Sequence, residues 1–129
     1  GFPVRVRVDV RFRDLDPLGH VNNAGFLSYM ELARIRYFQR ISPDWLEEGH
    51  FVVARMEVDY LRPILLGDEV FVGVRTVGIG RPSLRMEPLA NGESAAKGLG
   101  VLVWLEGGRP APLPEAIRER IRALEGRPL

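Results

Sequence analysis

Between residues 26 and 41, apolar side chains stand at Phe26, Leu27, Tyr29, Met30, Leu32, Ala33, Ile35, Tyr37, Phe38 and Ile41. At the helical repeat these positions wrap most of a cylinder, so the helix they form has to be buried on several sides. That demand constrains the fold more than any other feature of the chain. Asn22 or Asn23 supplies the N-cap, because an asparagine side chain accepts a bond from an unpaired first-turn amide, and Pro43 lies just beyond the other end.

The rest of the chain supplies strands to cover it. Residues 4–12 alternate strictly, with Val4, Val6, Val8, Val10 and Phe12 on one face and Arg5, Arg7, Asp9 and Arg11 on the other, which reads as a half-buried strand. Beyond Gly49, FVVARMEVDYL alternates again and closes at Pro63. GDEVFVGVRTVG gives a third strand between Gly67 and Gly78. Residues 84–89 and 93–105 flank ANGE, and Asn91-Gly92 is the dipeptide that two-residue type I′ hairpins prefer, since both central positions need positive φ. These last two strands are therefore expected to pair directly. Pro114 opens a short amphipathic helix with Ile117, Ile121 and Leu124 on one stripe and Gly126 as its stop.

The order is strand, long helix, four antiparallel strands, short helix, an α+β arrangement in which the helix lies across the concave face of a single sheet. One five-stranded sheet cannot surround a helix this apolar. Pairing two subunits edge to edge would cover an open strand and the helix's exposed side, so a homodimer or homotetramer is expected. At 129 residues, without repeats or linkers, residues 1–129 form one domain.

Charge narrows the partners. With 18 basic and 17 acidic residues there is no chain-wide field to draw the protein onto nucleic acid or an anionic membrane. All the basic residues but Lys97 are arginine, a planar donor that suits phosphate. The absence of cysteine excludes disulfides, thiolate metal sites and a cysteine nucleophile. No apolar run has the length of a membrane span and no signal-peptide pattern opens the chain, so the expected setting is the cytoplasm.

Polar chemistry gathers in RDLDPLGHVNNAGFLSYMELAR, immediately before and into the long helix. Ser28, Ser42, Ser83 and Ser94 have neither a GxSxG elbow nor a base nearby, and His20 and His50 lack the spacing of a zinc site. GIGRPS lacks the residues of a nucleotide loop and reads as a hairpin turn. Asp14 reads as a turn cap. Asp16 either starts an ordinary turn with Pro17 or stands where a carboxylate can act as nucleophile or general base, facing the positive end of the helix, whose free amides can polarise a carbonyl oxygen. His20 is either a loop histidine bonded to backbone or a second polar group of the site. Gly19 answers either a positive φ or the close approach of a ligand. Asn22 and Asn23 are helix caps or contacts to an attacking water, and Glu31 needs a partner, for which Arg34 at i+3 is placed.

These residues resemble the hydroxybenzoyl-CoA thioesterase-like acyl-CoA thioesterases. The likeness runs from the acidic loop, its glycine and the E-x-A-R of Glu31 to Arg34 through VDYLRPILLGDEV, over about the first hundred residues. The resemblance implies the hotdog fold, a five-stranded antiparallel sheet wrapped around a long central helix, with active sites at a dimer interface and no metal or organic cofactor. It implies that Asp16 is the catalytic carboxylate, that the backbone amide of Asn23 polarises the thioester carbonyl, and that Glu31 and Arg34 are structural. It implies coenzyme A contacts at Arg81 in GIGRPS, with Arg62 and Lys97 as further candidates, and Gly19 and Asn22 beside the substrate. HVNN is also similar to the loop D-x-D-x-N-x-H-V-N-N of plant acyl-carrier-protein thioesterases. There His20 matches a catalytic histidine, while Leu18 replaces their asparagine. The expected reaction is hydrolysis of an acyl-CoA to free acid and coenzyme A. The alternatives are the same chemistry on acyl carrier protein and a non-catalytic acyl-CoA binder.

Overall fold

A computed structural model describes residues 1–41 and 50–129. Pro43 and Gly49, read above as element boundaries, lie outside the described residues. Five long strands form an antiparallel sheet: β1 Val4–Val8, β2 His50–Tyr60, β3 Val70–Gly78, β4 Ser83–Ala90 and β6 Ala96–Glu106. Two-residue strands β5 Glu93–Ser94 and β7 Arg109–Pro110 extend it at β4 and β6. The order β1-β3-β4-β6-β2 leaves β1 and β2 as edges. Helix α1, Asn23–Ile41, lies against the sheet, and α2, Glu115–Glu125, packs against α1 and β3. This is the α+β hotdog arrangement expected from the sequence.

Alternation puts one face of each strand against α1. Val72, Val74, Thr76, Leu84, Met86 and Leu102 are buried there, facing Phe26, Met30, Ala33, Tyr37 and Ile41 of the helix. The two layers approach closely because β6 carries glycine beneath the helix. A Cβ on Gly98 would lie 2.9 Å from Met30 Sδ, so a side chain there requires the methionine to move. Asn91 and Gly92 take φ of 53° and 83°, the paired positive angles of the expected type I′ turn. Gly126 ends α2 with φ 67° and its amide bonded to Arg122 O.

Two expectations need correction. β1 stops at Val8, not residue 12, and Phe12 is 81% exposed. The Arg11 amide donates to Asp14 Oδ2 at 2.9 Å while the Asp14 amide donates to Arg11 O, so residues 11–14 close a tight turn before the alternation is used up. The last predicted strand is broken at Ala95, whose amide turns to Pro88 O. Within one chain α1 also keeps an open side, on which Leu27 and Leu32 are 43% and 40% exposed.

Candidate active site

The chain between β1 and α1 folds into a closed loop. Its two arms meet at the Leu15–Val21 bridge and at the Asn22 amide, which donates to Asp14 O at 2.9 Å. At its tip the Asp16 amide donates to His20 O at 2.7 Å, and Gly19, with φ 82°, returns its own amide to Asp16 O. A Cβ on Gly19 would meet nothing within 4 Å, so backbone angle, not space, demands glycine there. The loop is held on its other side by the Val21 amide on Ile64 O and by a His20–Leu65 bridge.

Asp16 is half-buried, and only one of its carboxylate oxygens is engaged. Oδ1 accepts the amides of Leu18 at 2.9 Å and His20 at 3.2 Å. Among the described residues nothing bonds Oδ2. Asn22 is the N-cap: its Oδ1 accepts the Gly25 amide at 2.8 Å and its carbonyl accepts the Phe26 amide. The amides of Asn23 and Ala24 are left without an acceptor among the described residues, as the first turn of a helix dictates. The resulting dipole end favours negative charge.

These groups open into one cleft of about 690 Å³ that Asp16, His20, Asn22, Asn23 and Arg62 line together. Phe26, Tyr60, Leu61 and Pro63 form its apolar wall, and the Phe26 and Tyr60 rings meet edge to face at 5.2 Å. Sequence reasoning missed this wall. The Arg62-Pro63 stop was legible, but nothing local places the end of β2 beside the start of α1. Arg62 is ion-paired with Glu93, and Asp68 accepts the Leu65 amide and Asn91 Nδ2, so the strand-ending segment is clasped to the Asn91-Gly92 turn.

The other candidates stand apart. Gly19 faces an adjoining hollow with Phe12, Leu15 and Pro17. Lys97 is exposed on β6 opposite Asp59, and Arg81 is exposed in the β3–β4 turn. The strand register sets that turn at the opposite end of the sheet from the cleft, because Gly78 pairs Ser83 while Val70 pairs Ala90. Asp14 is a turn cap as expected, with a partner the sequence did not announce: Tyr29 Oη donates to its Oδ2 at 2.6 Å. Burial pushes the Asp14 carboxyl up, yet the Tyr29 hydroxyl, the Arg11 amide and the charges of Arg11 and Arg13 hold it below its ordinary value. Burial, then Asp14, pushes the Tyr29 hydroxyl up. Arg34 pairs with Glu31 at 3.6 Å, as the spacing predicted. Among the described residues no three His, Asp or Glu side chains gather to hold a metal ion.

A carboxylate with a free oxygen beside unpaired helix amides suits attack on an electrophilic carbonyl. The model of the thioesterase-like superfamily matches residues 10–121. A crystal structure of a thioesterase from Thermus thermophilus, complexed with coenzyme A and Zn, is 95% identical to this chain. The match covers 100% of this chain and 98% of that one, with a TM-score of 0.91. The uncharacterized protein YsmA of Bacillus subtilis is 34% identical over 89% of this chain and 82% of its own length. The chloroplastic acyl-acyl carrier protein thioesterase ATL3 of Arabidopsis thaliana is 27% identical over 89% of this chain and 65% of its own length. The chain belongs to the thioesterase-like superfamily and is a thioester hydrolase on the hotdog fold.

Proposed function

We propose that this protein hydrolyses acyl-CoA thioesters in the cytoplasm through Asp16. The observation that carries this reading is the shared cleft, lined by Asp16, whose Oδ2 is unbonded, and by Asn23 and Ala24, whose amides are unpaired among the described residues. As general base, Asp16 takes a proton from water as the water oxygen adds to the thioester carbonyl carbon. The helix amides receive the developing oxyanion, the C–S bond breaks, and the proton passes to the departing thiolate. As nucleophile, Asp16 adds to that carbon itself and the C–S bond breaks to expel the thiolate; water then adds to the Asp16 carbonyl carbon of the acyl anhydride, which frees the acid, restores the Asp16 carboxylate and supplies the thiolate's proton. Single turnover in heavy-oxygen water separates the routes, since only the second leaves label in Asp16. His20 orients the water, its backbone already tied to Asp16 and its imidazole lining the cleft.

A two-fold pairing of β2 edges completes the site. Antiparallel pairing would set the end of the partner's sheet that carries residues 79–82 beside this chain's cleft, which is how Arg81 reaches a coenzyme A phosphate. The exposed Val52 and Val53 of β2 and Leu27 and Leu32 of α1 are the apolar surface that such a homodimer, or a homotetramer built of two such dimers, covers. Gly19 and Asn22 shape the entrance for pantetheine, with Arg62 and Lys97 as further phosphate contacts.

The test is release of free coenzyme A from short, long and aromatic acyl-CoAs, read with a thiol reagent against which a chain without cysteine gives no background. Turnover that collapses in Asp16→Asn supports the reading; full turnover in that variant overturns it. A carrier-protein thioester is the second reading, favoured by the HVNN loop and the likeness to ATL3. Salt-sensitive hydrolysis of acyl carrier protein but not of coenzyme A esters would establish it. Saturable binding without hydrolysis would make the chain a binder.

A further inference from the structure

We infer that Tyr29 and Asp14 are positioning residues that hold Asp16 at the mouth of the cleft, an inference that rests on the catalytic reading of Asp16. The bonds at the loop tip make it rigid within itself, because Asp16, Leu18, Gly19 and His20 bond one another. They do not fix the loop relative to the helix whose amides receive the oxyanion. Two side-chain bonds do. Asn22 Oδ1 caps the first turn through the Gly25 amide, which fixes the far end of the loop. Tyr29, 5% exposed on the second turn, donates its hydroxyl to Asp14 Oδ2 at 2.6 Å, which fixes the near end.

Asp14 passes that restraint to both arms. Its carboxylate also accepts the Arg11 amide, and its carbonyl accepts the Asn22 amide across the base of the loop. Asp16 lies two residues beyond Asp14, so a shift of the base moves the free carboxylate oxygen relative to Asn23 and Ala24. Gly25 allows the close seat: a Cβ there would lie 2.7 Å from Val21 Cγ1 and 3.6 Å from Asp14 O. Tyr29 and Asp14 lie outside the residues that line the cleft, along a neighbouring groove between β1 and α1. Their action is therefore on geometry, not on the substrate.

The experiment is a double-mutant cycle on acyl-CoA hydrolysis. Tyr29→Phe is expected to lower kcat about tenfold with KM within about twofold, the signature of lost orientation rather than lost binding. In an Asp16→Asn background the same change should leave the residual rate unchanged within about twofold, because there is no carboxylate left to position. Asp14→Asn keeps an acceptor for both the Tyr29 hydroxyl and the Arg11 amide and should retain most of the rate, whereas Asp14→Ala should match Tyr29→Phe. Wild-type kcat in Tyr29→Phe, while Asp16→Asn collapses, overturns this inference alone; so does an equal further loss in the Asp16→Asn background. Full turnover in Asp16→Asn overturns the catalytic reading and this inference with it.

Discussion

Two carboxylates meet helix α1 near its opposite ends, and they are treated in opposite ways. At the C-terminal end Glu125 reaches in from α2 with a side chain only 2% exposed. Its Oε2 accepts the Tyr37 hydroxyl at 2.5 Å and the Thr76 amide at 2.9 Å, while Arg127 stands 3.8 Å from Oε1. Since Tyr37 gives its one proton to Glu125, the Thr76 hydroxyl donates to Tyr37 Oη across their 2.6 Å contact. Burial, then Glu125, drives the Tyr37 hydroxyl up. At the N-terminal end Asp16 has one oxygen bonded and one free, in an open cleft. A carboxylate buried with an arginine beside its second oxygen stabilises the fold, and one whose second oxygen opens into a cleft keeps a lone pair for chemistry.

That contrast breaks if the two ends respond alike to mutation. The largest expected effect is on activity: Asp16→Asn should lower kcat by about a hundredfold or more with little change in denaturation midpoint, the range for loss of a general base. Glu125→Ala should do the reverse. It strands a buried hydroxyl and a buried amide, which costs about 3 kcal/mol of stability by denaturant titration, with kcat near wild type at 25 °C. A Glu125 variant that lost turnover while keeping its stability would erase the distinction.

Smaller effects sharpen it. Gly25→Ala gains up to about 1 kcal/mol of helix propensity. It forces Val21 aside at a cost of about 1–3 kcal/mol, so a net loss in chemical denaturation is expected, together with lowered turnover as the cleft wall shifts. The smallest concerns pH. The Asp14 carboxyl is held below its ordinary value of 3.8, so its contribution to stability is present above that pH and lost as pH falls through the folded-state value. Tyr29→Phe should therefore be about 1 kcal/mol less stable than wild type at neutral pH, and the gap should narrow as pH drops below about 3.8. A gap that stayed constant into acid would show that the charged form of Asp14 adds nothing to the bond.

Much of the site was legible because it is local. The Asp16 turn, the Gly19 backbone angle, the Asn22 cap and the Glu31–Arg34 pair all involve residues within four positions of each other, where spacing fixes who can meet. The partners that give the site its shape are distant in the chain. Tyr29 lies 15 residues from Asp14, and Tyr60 and Leu61 reach the cleft only because β2 ends beside the start of α1. No periodicity reports that. The early end of β1 was missed for a related reason, since alternation through Phe12 is equally good strand until the Arg11–Asp14 turn overrides it.

The sequence by itself determined the layers: a helix apolar around most of its circumference, strands with period two to cover it, a type I′ hairpin at Asn91-Gly92 and a carboxylate just before the helix. Those follow from side-chain period and backbone angles, which are properties of neighbours. The tertiary structure decided which carboxylate opens into a cleft and which is buried. Asp16 and Glu125 are the same functional group, and only the chain brought back from far away, Tyr37 and Thr76 around Glu125 and an open cleft around Asp16, determines whether its second oxygen is sealed in or open to a ligand.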